Sequence, residues 1–176
     1  MSVHLITTII CPDRPGIVER LTQIAHRHGA NWEQSRMARL QGDFAGIVAL
    51  SVPEARVSDL EAALRALDDA ETTVTVRRTR ALSADRPSAS VPYALVLSGA
   101  DHLGIVHEVA RSLSEAGVNV EQLETEVVPA PITGAPLFRM EALLLAPPAM
   151  TLARLRARLG ALADELGVDL DVDPAR

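Results

Sequence analysis

The chain states one pattern twice. Asp13-Arg14-Pro15-Gly16-Ile17-Val18 returns as Asp101-His102-Leu103-Gly104-Ile105-Val106, and positions 13 and 101 lie 88 residues apart. In the same register Gly29 meets Gly117, Asn31 meets Asn119, Glu33 meets Glu121 and Gln34 meets Gln122. A lone Asp-x-x-Gly constrains little. A pair of them with these further identities requires two copies of one structural unit, each opening a helix in the same way. For 176 residues this fixes two small domains rather than one ordinary one. Units of that size bury a modest share of their surface and often lean on a neighbour.

Periodicity supplies the elements. Val3 to Ile10 is an apolar, β-branched run that reads as a strand buried on both faces and stopping at Pro12-Asp13. Pro15 is tolerated in a first helical turn, which starts the helix there, and Gly29 ends it. Asn31 to Leu40 and Phe44 to Val52 are two strands joined through Gln41-Gly42-Asp43 as a hairpin. Val57, Leu60, Leu64 and Leu67 mark a second helix, and Thr73-Val74-Thr75-Val76 alternates as a half-exposed strand. The second copy repeats the order: strand Tyr93 to Ser98, a helix through Val106, Val109 and Leu113 stopped at Gly117, strands Asn119 to Val128 and Leu137 to Leu145. A leucine-rich helix from Leu152 to Leu166 and strand Val168 to Val172 follow. The order βαββαβ predicts an α+β fold of two ferredoxin-like units, each an antiparallel four-stranded sheet with two helices on one face. The expected units are residues 1–81 and 93–176, with an aperiodic Pro/Ser/Ala linker over 82–92.

Composition removes several functions. The formal charge of −6 argues against broad contact with a polyanion. Trp32, Phe44, Tyr93 and Phe138 are too scattered for a base-stacking platform. Arg77-Arg78-Thr79-Arg80 reads as a solvated strand end beside the linker, and Arg154, Arg156 and Arg158 as a wet helix face. All 17 basic residues are arginine, so a P-loop lysine and Schiff-base chemistry are excluded. Cys11 is the single cysteine, a small buried thiol at a strand end, and no intramolecular disulfide is possible. His26 and His28 point to different sides of a helix, and His102 and His107 lack an acidic ligand pair, so no metal is expected. No nucleophile stands at a recognisable spacing from a base, and no cofactor motif occurs. No apolar run approaches the roughly 20 residues of a membrane span, and a cytoplasmic location without membrane contact is expected.

Chemistry concentrates at the turn from first strand to first helix. A helix N-terminus offers unpaired N–H groups and partial positive charge, both suited to a carboxylate. Gly16 and Gly104 leave the backbone open to close approach, and Asp13 and Asp101 either hold an ammonium group or cap the helix. A small zwitterion would satisfy both poles. The candidate binding residues are Asp13, Arg14, Pro15, Gly16, Ile17 and Asn31 in the first copy. In the second they are Asp101, His102, Gly104, Ile105 and Asn119. Asn31 and Asn119 are either turn residues bonding their own backbone or ligand contacts. The second copy also carries Pro129-Ala130-Pro131-Ile132-Thr133-Gly134-Ala135-Pro136 where the first has a tight turn. Three prolines make it a stiff, extended excursion, open to reading as a plain hairpin extension or as a contact arm or lid.

A buried strand, Asp-Arg-Pro-Gly-Ile-Val and a helix ending in Gly-x-Asn resemble the ACT domain. Two copies, with the longer loop before Leu137-Phe138, resemble the glycine cleavage system transcriptional repressor group over nearly the whole chain. The same motif opens formyltetrahydrofolate deformylases and some phosphoserine phosphatases, which carry a separate catalytic domain. Its expected absence here favours a regulator over an enzyme. The resemblance implies a small amino-acid ligand such as glycine or serine, and control of glycine cleavage genes through a DNA-binding regulator protein without direct nucleic-acid contact. A homodimer is also open. An accessory or scaffold protein with empty sites, working through sheet edges or the proline loop, is the alternative. His102-Leu103 departs from Arg-Pro, so the two sites are expected to differ.

Overall fold

The computed structural model describes residues 2–79 and 90–175. The chain divides into two compact units, Met1–Ser83 and Ala84–Arg176. The first runs β1 (Ser2–Pro12), α1 (Ile17–Arg27), β2 (Asn31–Leu40), β3 (Asp43–Pro53), α2 (Val57–Arg65) and β4 (Thr73–Thr79). The second runs β5 (Val91–Ala100), α3 (Ile105–Glu115), β6 (Asn119–Pro129), β7 (Pro136–Ala146), α4 (Leu152–Leu166) and β8 (Val168–Pro174). The βαββαβ order holds in both. Most of the expected linker, along with Arg80, lies outside the described residues; its last two positions already belong to β5.

Each unit forms a four-stranded sheet, in the order β2-β3-β1-β4 and β6-β7-β5-β8. All neighbours are antiparallel. Gln41 and Gly42 both take positive φ (53° and 95°), as a two-residue hairpin between right-twisted strands requires. In β1, Leu5, Thr7, Ile9 and Cys11 are buried while Ile6 and Thr8 are half-buried and Ile10 is exposed. The strand is therefore buried on one face, not on both, because the helices pack only there. The apolar stripes of α1 and α2 meet that face through Leu21, Leu60 and Leu64, and those of α3 and α4 through Leu113, Leu155 and Leu159. Each such fully buried leucine contributes about 1.5–3 kcal/mol through apolar burial.

Two further expectations need correction. The segment between β6 and β7 is a closed hairpin extension, not an extended excursion. Pro129 pairs with Pro136, the Ala130 N–H donates to the Ala135 carbonyl at 2.8 Å, and the Gly134 N–H donates to Ala130 at 2.8 Å. Arg156 and Arg158 do more than wet a face. Arg156 donates to the Val172 carbonyl at 2.7 Å, and Arg158 to the Ser112 carbonyl at 3.0 Å, so they fasten α4 to β8 and α3. Arg78, by contrast, is exposed near the end of β4, as expected, and pairs with Glu61 at 2.7 Å.

Candidate helix-start sites

In the first unit β1 delivers the chain to the start of α1. The Asp13 N–H donates to the Gly42 carbonyl at 2.9 Å, and the backbone then turns through Gly16 at φ 95°. That angle lies where side chains are strained, while a Cβ built on Gly16 would meet nothing within 4 Å. Glycine is needed for the backbone, and the space above it is open. The first helical bond runs from the Arg20 N–H to the Gly16 carbonyl at 2.9 Å. The N–H groups of Ile17, Val18 and Glu19 precede it and point out of the helix.

Gly16 is the N-cap and no side chain caps this helix. Asp13 therefore does not cap, because it stands three residues before the cap position. Pro15 likewise lies just before the helix, its fixed φ serving the turn instead of the first helical position. The Asp13 carboxylate forms an ion pair with Arg39, Nε to oxygen 3.0 Å, and Arg14 approaches Glu71 at 4.0 Å. Arg14 and Arg20 border a small recess floored by Ile9, Cys11 and Ile17. Its volume is about 20 Å³, room for about one water. Burial pushes the Cys11 thiol upward against the pull of Arg14, which suits a core thiol and not a nucleophile. Close by, Asp69 accepts the Glu71 and Thr72 N–H groups at 2.9 and 2.8 Å, and those bonds hold its carboxyl below the ordinary range.

The second unit keeps the backbone and changes the chemistry. The Asp101 N–H donates to the Pro136 carbonyl at 3.2 Å, Gly104 caps α3 at φ 100°, and Glu108 N–H donates to Gly104 at 2.9 Å. His102 Nε2 lies 3.0 Å from the Leu166 carbonyl and Nδ1 lies 3.1 Å from that of Leu103. The imidazole, exposed to solvent, thus reaches the end of α4. Leu103 is 100% exposed. In repeat register Arg20 becomes Glu108, bound by Arg111 at 2.6 Å, and Arg39 becomes Val127. The recess is lost as well. Cys11 becomes Gly99, and a Cβ on Gly99 would stand 2.5 Å from Val168 Cγ1, where the first unit has Thr72.

Asn31 and Asn119 do not join these sites within their own units. Asn31 pairs with Ser51, which pairs with His4 near the start of β1. At about 3.3 Å per residue this is roughly 30 Å from Asp13. Asn119 is placed in the same way, pairing with Leu145 beside Pro92. The Ile17 and Ile105 side chains are core residues, which leaves only their N–H groups directed to the helix start. Sequence reasoning missed Arg20 and Arg39; the signal was available as Arg20/Glu108 and Arg39/Val127, two charge changes between repeats. Among the described residues, no three His, Cys, Asp or Glu side chains gather as a metal site, and no helix is long and apolar enough to cross a membrane.

Comparison with known proteins gives a consistent picture. Residues 3–77 match the ACT domain family. The chain is 25% identical over 163 residues to the glycine cleavage system transcriptional repressor of Escherichia coli (strain K12), covering 93% of this chain and 85% of that one. A crystal structure of an unknown protein from Galdieria sulphuraria is 33% identical, with both chains covered in full and a TM-score of 0.81. A structure provisionally assigned as a glycine cleavage system transcriptional repressor gives a TM-score of 0.72 at 18% identity, with 100% of this chain and 99% of that one covered, which bears on the fold.

Proposed function

We propose that this chain, which belongs to the ACT-domain proteins and carries the fold in two copies, is a ligand-sensing regulatory protein and not an enzyme. Its ligand is a small amino acid of the glycine or serine class. The carboxylate binds the N–H groups of Ile17, Val18 and Glu19 at the start of α1. One observation carries this reading: Arg14, Arg20 and Arg39 gather around that helix start, whereas the second unit has His102, Glu108 and Val127. Cations beside a helix N-terminus add to its pull on an anion. The ligand ammonium competes with Arg39 for Asp13, so binding releases Arg39. The freed side chain changes the surface that a partner reads. The similarity to the Escherichia coli transcriptional repressor supports a role in transcription, and the charge of −6 favours reaching it through a DNA-binding regulator as partner over direct nucleic-acid contact.

A second reading has its own support. The recess holds about one water, and Asp13 is already paired. Both suit a scaffold whose sites stay empty. Thermal melts with a panel of amino acids separate the two, because a ligand of the native state raises the melting temperature by mass action. A rise of several degrees at millimolar glycine or serine, lost in Arg14→Gln, is expected. No rise with any amino acid overturns sensing in favour of the scaffold. Gly16→Val is a poor probe here, since φ 95° makes it a folding variant.

A further inference from the structure

The sheet face opposite the helices is exposed in each unit, and the two faces carry opposite charge. On the first unit the register places Gln34, Arg36 and Ala38 of β2 beside Ala49, Ile47 and Ala45 of β3. Then come Ile6, Thr8 and Ile10 of β1, with Arg77 and Thr75 of β4. On the second unit the same lattice places Glu124 and Glu126 beside Glu141 and Arg139, then Val96, then Asp171 and Asp173. Two positions reverse sign between the repeats. Arg36 corresponds to Glu124, and Arg77, paired with Ile6, corresponds to Asp173, paired with Ala94. Glu124 and Glu141 stand directly opposite each other on neighbouring strands, an arrangement that costs stability in isolation. Each face also has an apolar centre, with Ile47 45% exposed, Ile10 53% and Val96 52%. Equivalent grooves cross the two faces. One is lined by Ile6, Arg36, Ile47 and Ala49, the other by Ala94, Glu124, Glu141 and Leu143.

We infer that these faces are a docking pair, the basic face of one copy of the chain seating on the acidic face of a second copy. Charge complementarity selects the partner, and area selects the arrangement. Four strands at about 4.8 Å spacing, overlapping for about seven residues of 3.3 Å, offer about 440 Å² per face. One such contact buries about 900 Å² in total, below the 1,200–2,000 Å² of a stable interface. Two contacts, formed reciprocally in a closed two-fold dimer, reach about 1,800 Å². Docking also places arginines against the Glu124–Glu141 pair and offsets its repulsion.

Sedimentation velocity on the full chain tests the inference. The wild type is expected to dimerise at micromolar concentration, with the dissociation constant rising about tenfold from 50 to 500 mM NaCl as the charges are screened. The doubles Arg36→Glu/Arg77→Glu and Glu124→Arg/Glu141→Arg are each expected to sediment as monomers, every homotypic contact now joining like charges. Mixed one to one, they are expected to restore the dimer, since both contacts become complementary again. Circular dichroism melts establish that each double is folded; the salt series on the wild type stands without them. A wild type monomeric to 100 µM overturns the inference and points to a basic partner of another kind. Doubles that still dimerise, or a mixture of folded doubles that stays monomeric, also overturn it. So does a charge effect on shape that is independent of concentration, since that contact would lie within one chain.

Discussion

The two helix starts share a backbone and differ in nearly every side chain around it. Gly16 and Gly104 take φ of 95° and 100°, and each accepts the first bond of its helix at 2.9 Å. Around that common frame the first unit sets three arginines and a small recess. The second sets a histidine tied to the Leu166 carbonyl, a glutamate, and Val168 packed where the recess would be. Duplication preserved what the chain needs to turn into a helix. It did not preserve the arginines and the recess on which the proposed carboxylate site rests. The shared part is architecture, and the proposed function rests on the difference between the copies.

The largest effect that sharpens this contrast lies beneath the sites. Gly99→Cys, which writes the first unit's residue into the second, drives a side chain into Val168 and should destabilise by about 1–3 kcal/mol. A melt should register a loss of several degrees for a unit of this size. An unchanged melting temperature would mean that the recess is not closed by Val168.

Next come the turns themselves. Gly16→Ala and Gly104→Ala should each cost about 1–2 kcal/mol in denaturant titrations, because both force a side chain into left-handed backbone. Equal losses support a shared frame, and a loss in one unit alone breaks it. In ligand binding, Arg39→Ala should tighten an amino acid bound at α1 about threefold by calorimetry, because the ligand ammonium no longer has to displace an exposed arginine from Asp13. Val127→Ala should leave that affinity unchanged.

The smallest effect is one of pH. The Asp69 carboxyl titrates below its unfolded value because two N–H groups donate to it. Its charge therefore stabilises the fold fully above about pH 4, and that contribution fades as pH falls through the lower folded value. Asp69→Asn should lower the melting temperature at pH 7 and converge with the wild type near pH 2. The equivalent bend in the second unit is turned by Gly167 at φ 65°, with no carboxylate in the role. A difference that persists at acid pH would assign Asp69 a role independent of charge.

Much of this was legible in the residues. Repeat register, Gln41-Gly42 and the leucine stripes of α2 and α4 specify βαββαβ because turn chemistry and periodicity act locally. What failed depended on the third dimension. Ile6 and Ile10 read as core because hydrophobicity does not say which sheet face lacks helices. Pro15 read as a first helical residue because its φ serves the preceding turn equally well. Asn31 follows Gly29 closely in sequence, but strand register carries it to the far end of the sheet, away from Asp13 of its own unit. Arg39 was invisible by sequence distance, since it reaches Asp13 only across the hairpin that Gly42 turns.

The central claim is that the first helix start binds a carboxylate and the second does not. Amide chemical shifts measure this most directly, in a titration of the labelled chain with glycine and with serine. The account requires saturable shifts at Ile17, Val18 and Glu19, lost in Arg14→Gln, with Ile105, Val106 and His107 unmoved. Shifts confined to the second set, or saturable shifts at the first that survive Arg14→Gln, would contradict it.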